Sequence, residues 1–254
     1  MIDRRLAHAT AAIALCGCAA KPAPPLQGSE AVAYTLDAGT IVSDATPDAD
    51  PPDASPPYPI VSHQHTLPTH RFDNAKRWAK RWDAKSRDEW QQPELVIQSM
   101  KLPEAAVVAD IGAGTGYFSD RLRTSAARVY AVDIEPDLLK HMQRRFKDTN
   151  VEVVKGTATD PKLPNHVDVI LIVDTYHHID KRVEYLRTLA SYLKPGGAVV
   201  VVDFFVREQQ MGPALKYRLP AATVADEFAQ TGLFRGPTFT ELPYQYVLRF
   251  ERKP

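Results

Sequence analysis

The stretch VVADIGAGTGYFSDRL, residues 107–122, decides the fold. An apolar run leads into Gly112, Gly114 and Gly116, and a helix-like pattern starts at Tyr117. Glycines let a backbone turn sharply and approach a ligand closely. In a doubly wound sheet such a loop sits at the carboxyl end of the first strand, where nucleotides bind. The spacing here is G-x-G-x-G, one residue short of the dinucleotide fingerprint, and no Gly-Lys-Ser/Thr follows as in a P-loop. A nicotinamide oxidoreductase fails on that spacing. Asp110 lies two residues before the first glycine, and Asp133 ends the next apolar run about 23 residues later. An acid at that position accepts both hydroxyls of an unphosphorylated ribose. No positive group stands ready for a pyrophosphate.

Outward from this loop the chain alternates. Strands are expected at 106–112, 128–134, 151–156, 167–174 and 198–205, with helical patterns between them. Runs such as VDVILIV and AVVVVDF are apolar throughout, as in strands buried on both faces. The alternation implies an α/β, doubly wound, mostly parallel sheet. KPGG is expected to end the helix before the strand at 198, and PYQYVLRFER to close the chain as part of a hairpin. Before the sheet, residues 71–100 read as amphipathic helices. Trp78 and Trp82, four apart, share one face and are expected in the core. Pro93 suits the first turn of a helix running to about Met100.

The chain has 254 residues, 44% apolar and 24% charged, with a formal net charge of +0. That balance gives no long-range field to attract nucleic acid, and no block of Lys and Arg interleaved with aromatics is evident. The only cysteines, Cys16 and Cys18, lie near the start, so the rest of the chain has no disulfide framework or cysteine metal site.

The first residues have the order of an export leader. Arg4 and Arg5 precede a short apolar run, Leu6 to Leu15, too short for a membrane span. Leu15-Cys16-Gly17-Cys18 resembles a bacterial lipobox, which implies a lipidated Cys18 and a place at the cell envelope. If the leader is unused, the protein is cytoplasmic. The twin-arginine motif is incomplete. Residues 19–69, rich in Pro, Ala and Asp, read as a disordered tether, and His63, His65 and His70 near its end as solvated rather than metal-binding. Three parts follow: leader 1–18, tether 19–69 and folded domain 70–254.

ADIGAGTGYFS, VYAVDIEP and YLKPGGAVVVVDF, taken in order, resemble the successive motifs of class I S-adenosylmethionine-dependent methyltransferases. The resemblance runs from about Arg71 to the end. WQQP, DTYHHI and LPYQYVLRF are similar to a bacterial small-molecule branch, the ubiquinone-type methyltransferases. It implies a seven-stranded Rossmann-like sheet with an N-terminal helical lid and a C-terminal antiparallel hairpin. By the same resemblance, Asp110, Gly112, Gly114 and Gly116 surround the methionine part of S-adenosyl-L-methionine. Asp133 holds the ribose and Ile134 meets the adenine. Thr157 and Ala158 stand where the family often has an acid for the adenine amino group, and Asp160 is a substitute. Asp174 faces the cofactor or the substrate, and Trp90 walls the pocket.

Methyl transfer is an in-line displacement that depends on placing the nucleophile. A hydroxyl, thiol or ammonium acceptor also needs a base, and histidine titrates in the right range. His177 or His178 is the expected base, with Tyr176 positioning substrate. The Asn-Pro-Pro-Tyr signature of nucleobase amino methylation is absent, and only about 15 residues, Val206 to Pro220, are free for substrate contacts. A small-molecule acceptor is expected, with no nucleic acid and no metal. The second reading is a tethered, catalytically silent module acting as sensor or scaffold. Export weighs towards it, since adenosylmethionine is made in the cytosol.

Overall fold

The computed structural model describes residues 72, 74–237 and 242–253. The leader, the tether with His63 and His65, and His70 lie outside them.

Three short helices come first: α1 (Ala75–Trp82), α2 (Ser86–Gln91) and α3 (Pro93–Ser99). Asn74 caps α1, its side-chain oxygen accepting from the Arg77 N–H at 3.3 Å. Pro93 does open α3, where its missing N–H costs nothing. The core alternation follows as β1 (Val107–Ile111), α4 (Tyr117–Leu122), β2 (Arg128–Asp133), α5 (Pro136–Arg145), β3 (Val151–Lys155), β4 (Val167–Val173), α6 (Arg182–Ser191) and β5 (Leu193–Phe204). A 3₁₀ turn, Tyr176–His178, follows β4. The chain closes with α7 (Ala221–Ala229), β6 (Phe234–Arg235) and β7 (Gln245–Glu251).

The strands form one seven-stranded sheet in the order β3-β2-β1-β4-β5-β7-β6. β7 runs antiparallel to both β5 and β6; the other pairs are parallel. This is the doubly wound, mostly parallel α/β sheet expected, with antiparallel strands at its C-terminal end. One boundary differs. KPGG does not end α6; it lies within β5, which already pairs at Leu193 opposite Val167. The register shifts between Val167 and Val169, which absorbs the two glycines.

Successive strand residues alternate between two hydrophobic clusters, one on each face. Val108, Val129, Ala131, Val169, Leu171, Val200 and Val202 meet Val96 and Met100 near α3, Phe118 and Leu122 of α4, and Leu139 and Met142 of α5. Ala109, Tyr130, Val132, Ile170, Ile172, Val199 and Val201 meet Leu186 and Leu189 of α6 and Val224 and Phe228 of α7. Both faces are covered, which is why these strands are apolar throughout. Phe228 stacks on Phe250 of β7 at 3.8 Å, which ties α7 to the antiparallel edge. Among the described residues no helix is long and apolar enough to cross a membrane.

The first glycine of the loop has φ +72°, and a Cβ there would lie 2.3 Å from Thr175 Oγ1. Gly196 has a similar φ, +75°, but open space around it. Gly112→Ala combines backbone strain with a clash and is expected to cost about 3 kcal/mol in urea unfolding, whereas Gly196→Ala costs about 1. Equal losses would mean that the Thr175 contact relaxes freely.

Candidate functional site

The carboxyl ends of β1, β2, β4 and β5 converge on one edge of the sheet. The Val132 carbonyl at the end of β2 accepts the Gly112 and Ala113 N–H groups, both at 2.9 Å. The next residue, Asp133, takes the Gly114 N–H on one carboxylate oxygen at 2.8 Å. Its other oxygen takes the Ile134 and Glu135 N–H groups at 2.7 and 2.9 Å. Burial pushes the Asp133 carboxyl up, and the three amides oppose that shift. Ile134 is 52% exposed, an apolar side chain left open beside the loop.

Asp110, at the penultimate position of β1, is buried and accepts the Ser119 hydroxyl at 2.6 Å. Burial raises its pKa to about 6. Asp174, just past β4, has φ +53° and is also raised, to about 7, mainly by burial. Arg87 of α2 opposes that shift, with Nη2 3.2 Å from the Asp174 carboxylate. Arg87 also lies 4.1 Å over the Tyr117 ring and bonds Gln91 at 2.9 Å. Gln91 donates to Gln245 at 2.5 Å, and the Gln245 amide donates to Asp174. A closed polar ring thus joins the helical segment, β4 and β7.

On the β5 side, His177 Nδ1 is 2.9 Å from both oxygens of Asp203. Asp203 is fully buried and also accepts the Phe204 N–H at 2.8 Å. An ionised carboxylate only accepts, so pairing with it puts the proton on Nδ1 and leaves a lone pair on Nε2. Burial disfavours the charged ring, but Asp203 outweighs it and raises the His177 pKa. His178 lies against His177 with ring centroids 4.2 Å apart. Trp90 lies 6.0 Å from Phe204 and 5.7 Å from the Arg87 guanidinium, beside this end of β5.

The other expected residues have these surroundings. Tyr176 is fully buried; its hydroxyl donates to Glu227 of α7 at 2.6 Å, and Arg182 clamps the same carboxylate. That places Tyr176 in the packing between the 3₁₀ turn and α7. Thr157 and Ala158 are exposed after β3. The Asp160 carboxylate takes the Lys162 N–H and the Tyr192 hydroxyl, at 2.8 and 3.0 Å. Trp78 and Trp82 are not core residues: both are half-buried, stacked at 4.8 Å, and a Cβ at Gly114 would meet the Trp82 ring at 3.3 Å. α1 therefore covers the glycine loop.

Arg87, Gln91, Gln245 and Asp203 were missed. Asp203 carried a signal, an acid ending a wholly apolar run. Arg87 carried none, because a helix 25 residues before the loop brings it to the strand ends.

Residues 109–201 match the family model described as a methyltransferase domain. The chain is 31% identical over 106 residues to the cypemycin N-terminal methyltransferase of a Streptomyces species, a match covering 40% of this chain and 43% of that protein. It is 29% identical over 140 residues to a ubiquinone biosynthesis O-methyltransferase of Xanthomonas campestris, covering 49% and 55%. The chain thus spans about half the length of the curated relatives it matches. Among solved structures it is similar to a SAM-dependent methyltransferase from Aquifex aeolicus, with 25% identity and a TM-score of 0.64, covering 69% of this chain and 97% of that one.

Proposed function

We propose that this chain is an S-adenosylmethionine-dependent methyltransferase acting on a small-molecule acceptor. The observation that carries the reading is the meeting, at one sheet edge, of the glycine loop, three carboxylates and a buried His–Asp pair. The methyltransferase relatives support it, and so does the fit of the cofactor to these residues. Asp133, which accepts three N–H groups, keeps a lone pair for a ribose hydroxyl, and Ile134 offers an apolar contact to an adenine. Asp110 and Asp174 suit an ammonium group, and Arg87 suits a carboxylate. Bound there, the cofactor supplies an electrophilic methyl group on a sulfonium.

The chain's own residues do the rest. His177 Nε2 takes the proton from a hydroxyl, thiol or ammonium as that atom attacks. Asp203 holds the ring in the tautomer that can accept it and stabilises the imidazolium that forms. Trp90 and α1 exclude water from the site. The leader belongs to the same proposal: a Cys18-anchored enzyme of the bacterial envelope.

Calorimetric titration of the protein with S-adenosylmethionine, with NADH as control, is expected to give micromolar binding for the first only. No binding by a folded sample favours the silent, tethered module. The pH dependence has a definite sign. Asp110 and Asp174 are raised from 3.8 to about 6 and 7, so without ligand the fold favours their protonated forms and loses that stability as pH rises from about 4 to those values. A cationic ligand needs them ionised. Affinity should therefore increase by about a hundredfold from pH 5.5 to 7.5, with proton release seen as a buffer-dependent heat. Flat affinity removes both acids from the ligand's surroundings.

Arg87→Met should weaken S-adenosylmethionine at least tenfold. It should leave methylthioadenosine, which has no carboxylate, within twofold. Parallel losses would make Arg87 merely structural.

Asp203→Asn should keep cofactor affinity and lower methyl transfer by about 10²–10⁴-fold, as loss of the correctly held base predicts. The assay follows labelled methyl transfer to a panel of phenolic, amino and thiol acceptors. An Asp203→Asn variant with full activity would remove the pair from the chemistry.

A further inference from the structure

The sequence AKRWAKRW was passed over as a basic, aromatic-interleaved block, and the structure gives it a shape. In α1, Ala75, Trp78, Ala79 and Trp82 turn inward or lie half-buried, while Lys76, Arg77, Lys80 and Arg81 are exposed on the other face. α1 packs against α5: the Asn74 N–H donates to Asp137 at 3.2 Å, and Asp83, at the end of α1, pairs with Arg145 at 2.9 Å. α5 adds Lys140 and Arg144, both exposed, and Lys147 follows one turn later.

Several cations elsewhere on the surface are matched, although exposed Lys181, Arg187, Lys216 and Lys253 stand singly. Arg121 pairs with Asp88, Arg123 with Asp120, Arg128 with Glu152, Arg182 with Glu227 and Lys194 with Asp168. Lys76, Arg77, Lys80, Arg81, Lys140, Arg144 and Lys147 enter no ion pair among the described residues. α1 itself contains no acid. The neutral net charge conceals this. Residues 1–70 hold seven acids and three Lys or Arg, so residues 71–254 carry a net +4.

We propose that the basic face of α1 and α5 docks this domain on an anionic lipid bilayer. This goes beyond the methyl-transfer reading and does not depend on it. Exposed Lys and Arg near such a surface each add roughly a fivefold gain in affinity, because they sit in its negative potential. In the anchored reading proposed above a bilayer is near: α1 starts 57 positions after the lipobox-like Cys18.

The test compares the full chain with K76Q/R77Q/K80Q/R81Q in sedimentation with vesicles of phosphatidylcholine alone or with 30% phosphatidylglycerol. A second variant, K181Q/R187Q/K216Q/K253Q, removes four exposed charges from other surfaces. The leader is common to all three proteins, so its own partitioning cancels. The wild type should prefer the anionic vesicles, the α1 variant should lose roughly 600-fold in binding to them at fivefold per residue, and the control variant should change less than fivefold. In 0.5 M salt the wild type and the α1 variant should converge. Equal binding by wild type and α1 variant overturns the proposal. So does an equal loss in both variants, which would mean that only net charge is sensed. Poly(U) that binds the wild type more tightly than the anionic vesicles, through the same four residues, would overturn it in favour of RNA.

Discussion

The structure depends on a hydrogen-bonded junction at the end of β2. The Val132 carbonyl accepts two amides from the loop after β1, the Asp133 carboxylate accepts a third, and the Asp133 carbonyl accepts the Gly156 N–H after β3 at 3.0 Å. Three strand ends are fixed at two consecutive residues. An amide chain that leaves a buried strand cannot keep its N–H groups unpaired. The loop after β1 pairs three of them with the end of β2 and one, the Gly116 N–H, within itself on the Ala113 carbonyl. The glycines are needed because the path that reaches Val132 has positive φ and runs against Thr175.

The second constraint joins the N-terminal helices to this frame. Arg87, Gln91, Gln245 and Asp174 satisfy one another, and among the described residues no buried side-chain polar atom lacks a partner. Such a network is stable only when complete, because removing one member leaves the others desolvated. The short helices have little intrinsic stability. They are held by polar pairing beneath them as much as by apolar burial. The same pairing brings a cation to a sheet edge that otherwise carries carboxylates.

The sheet was legible because its signal is local. Wholly apolar runs alternating with helical pattern mean strands covered on both faces, and both hydrophobic clusters follow that alternation residue by residue. The glycine loop and Asp133 were legible for the same reason: a strand end, a turn and an acid lie close together in the chain. Arg87 was not, since its neighbours in space, Asp174 and Gln245, lie 87 and 158 positions away along the chain. Asp203 could have been found by asking why an acid ends VVVVD. The tryptophans misled because four-residue spacing identifies a shared helix face and does not say what that face meets. Here it meets a glycine loop rather than a core. KPGG misled because glycine stops a helix as readily as it permits a bulge at a strand's start.

α1 shows why net charge is a poor guide to surface chemistry. Its inner face places Trp82 against Gly114, and its outer face carries four cations with no acid in the helix to offset them. Opposite charge elsewhere cancels these in the sum, but at physiological ionic strength the Debye length is only about 8 Å. A partner at this face senses the local cations and not the distant aspartates. The two faces belong to one two-turn helix capped at both ends, by Asn74 and by the Asp83 contacts to Thr115 and Arg145. Whatever orders the outer face also fixes the ring over the glycine loop. By linkage, a ligand that needs that ring in place and a surface that holds the helix favour each other.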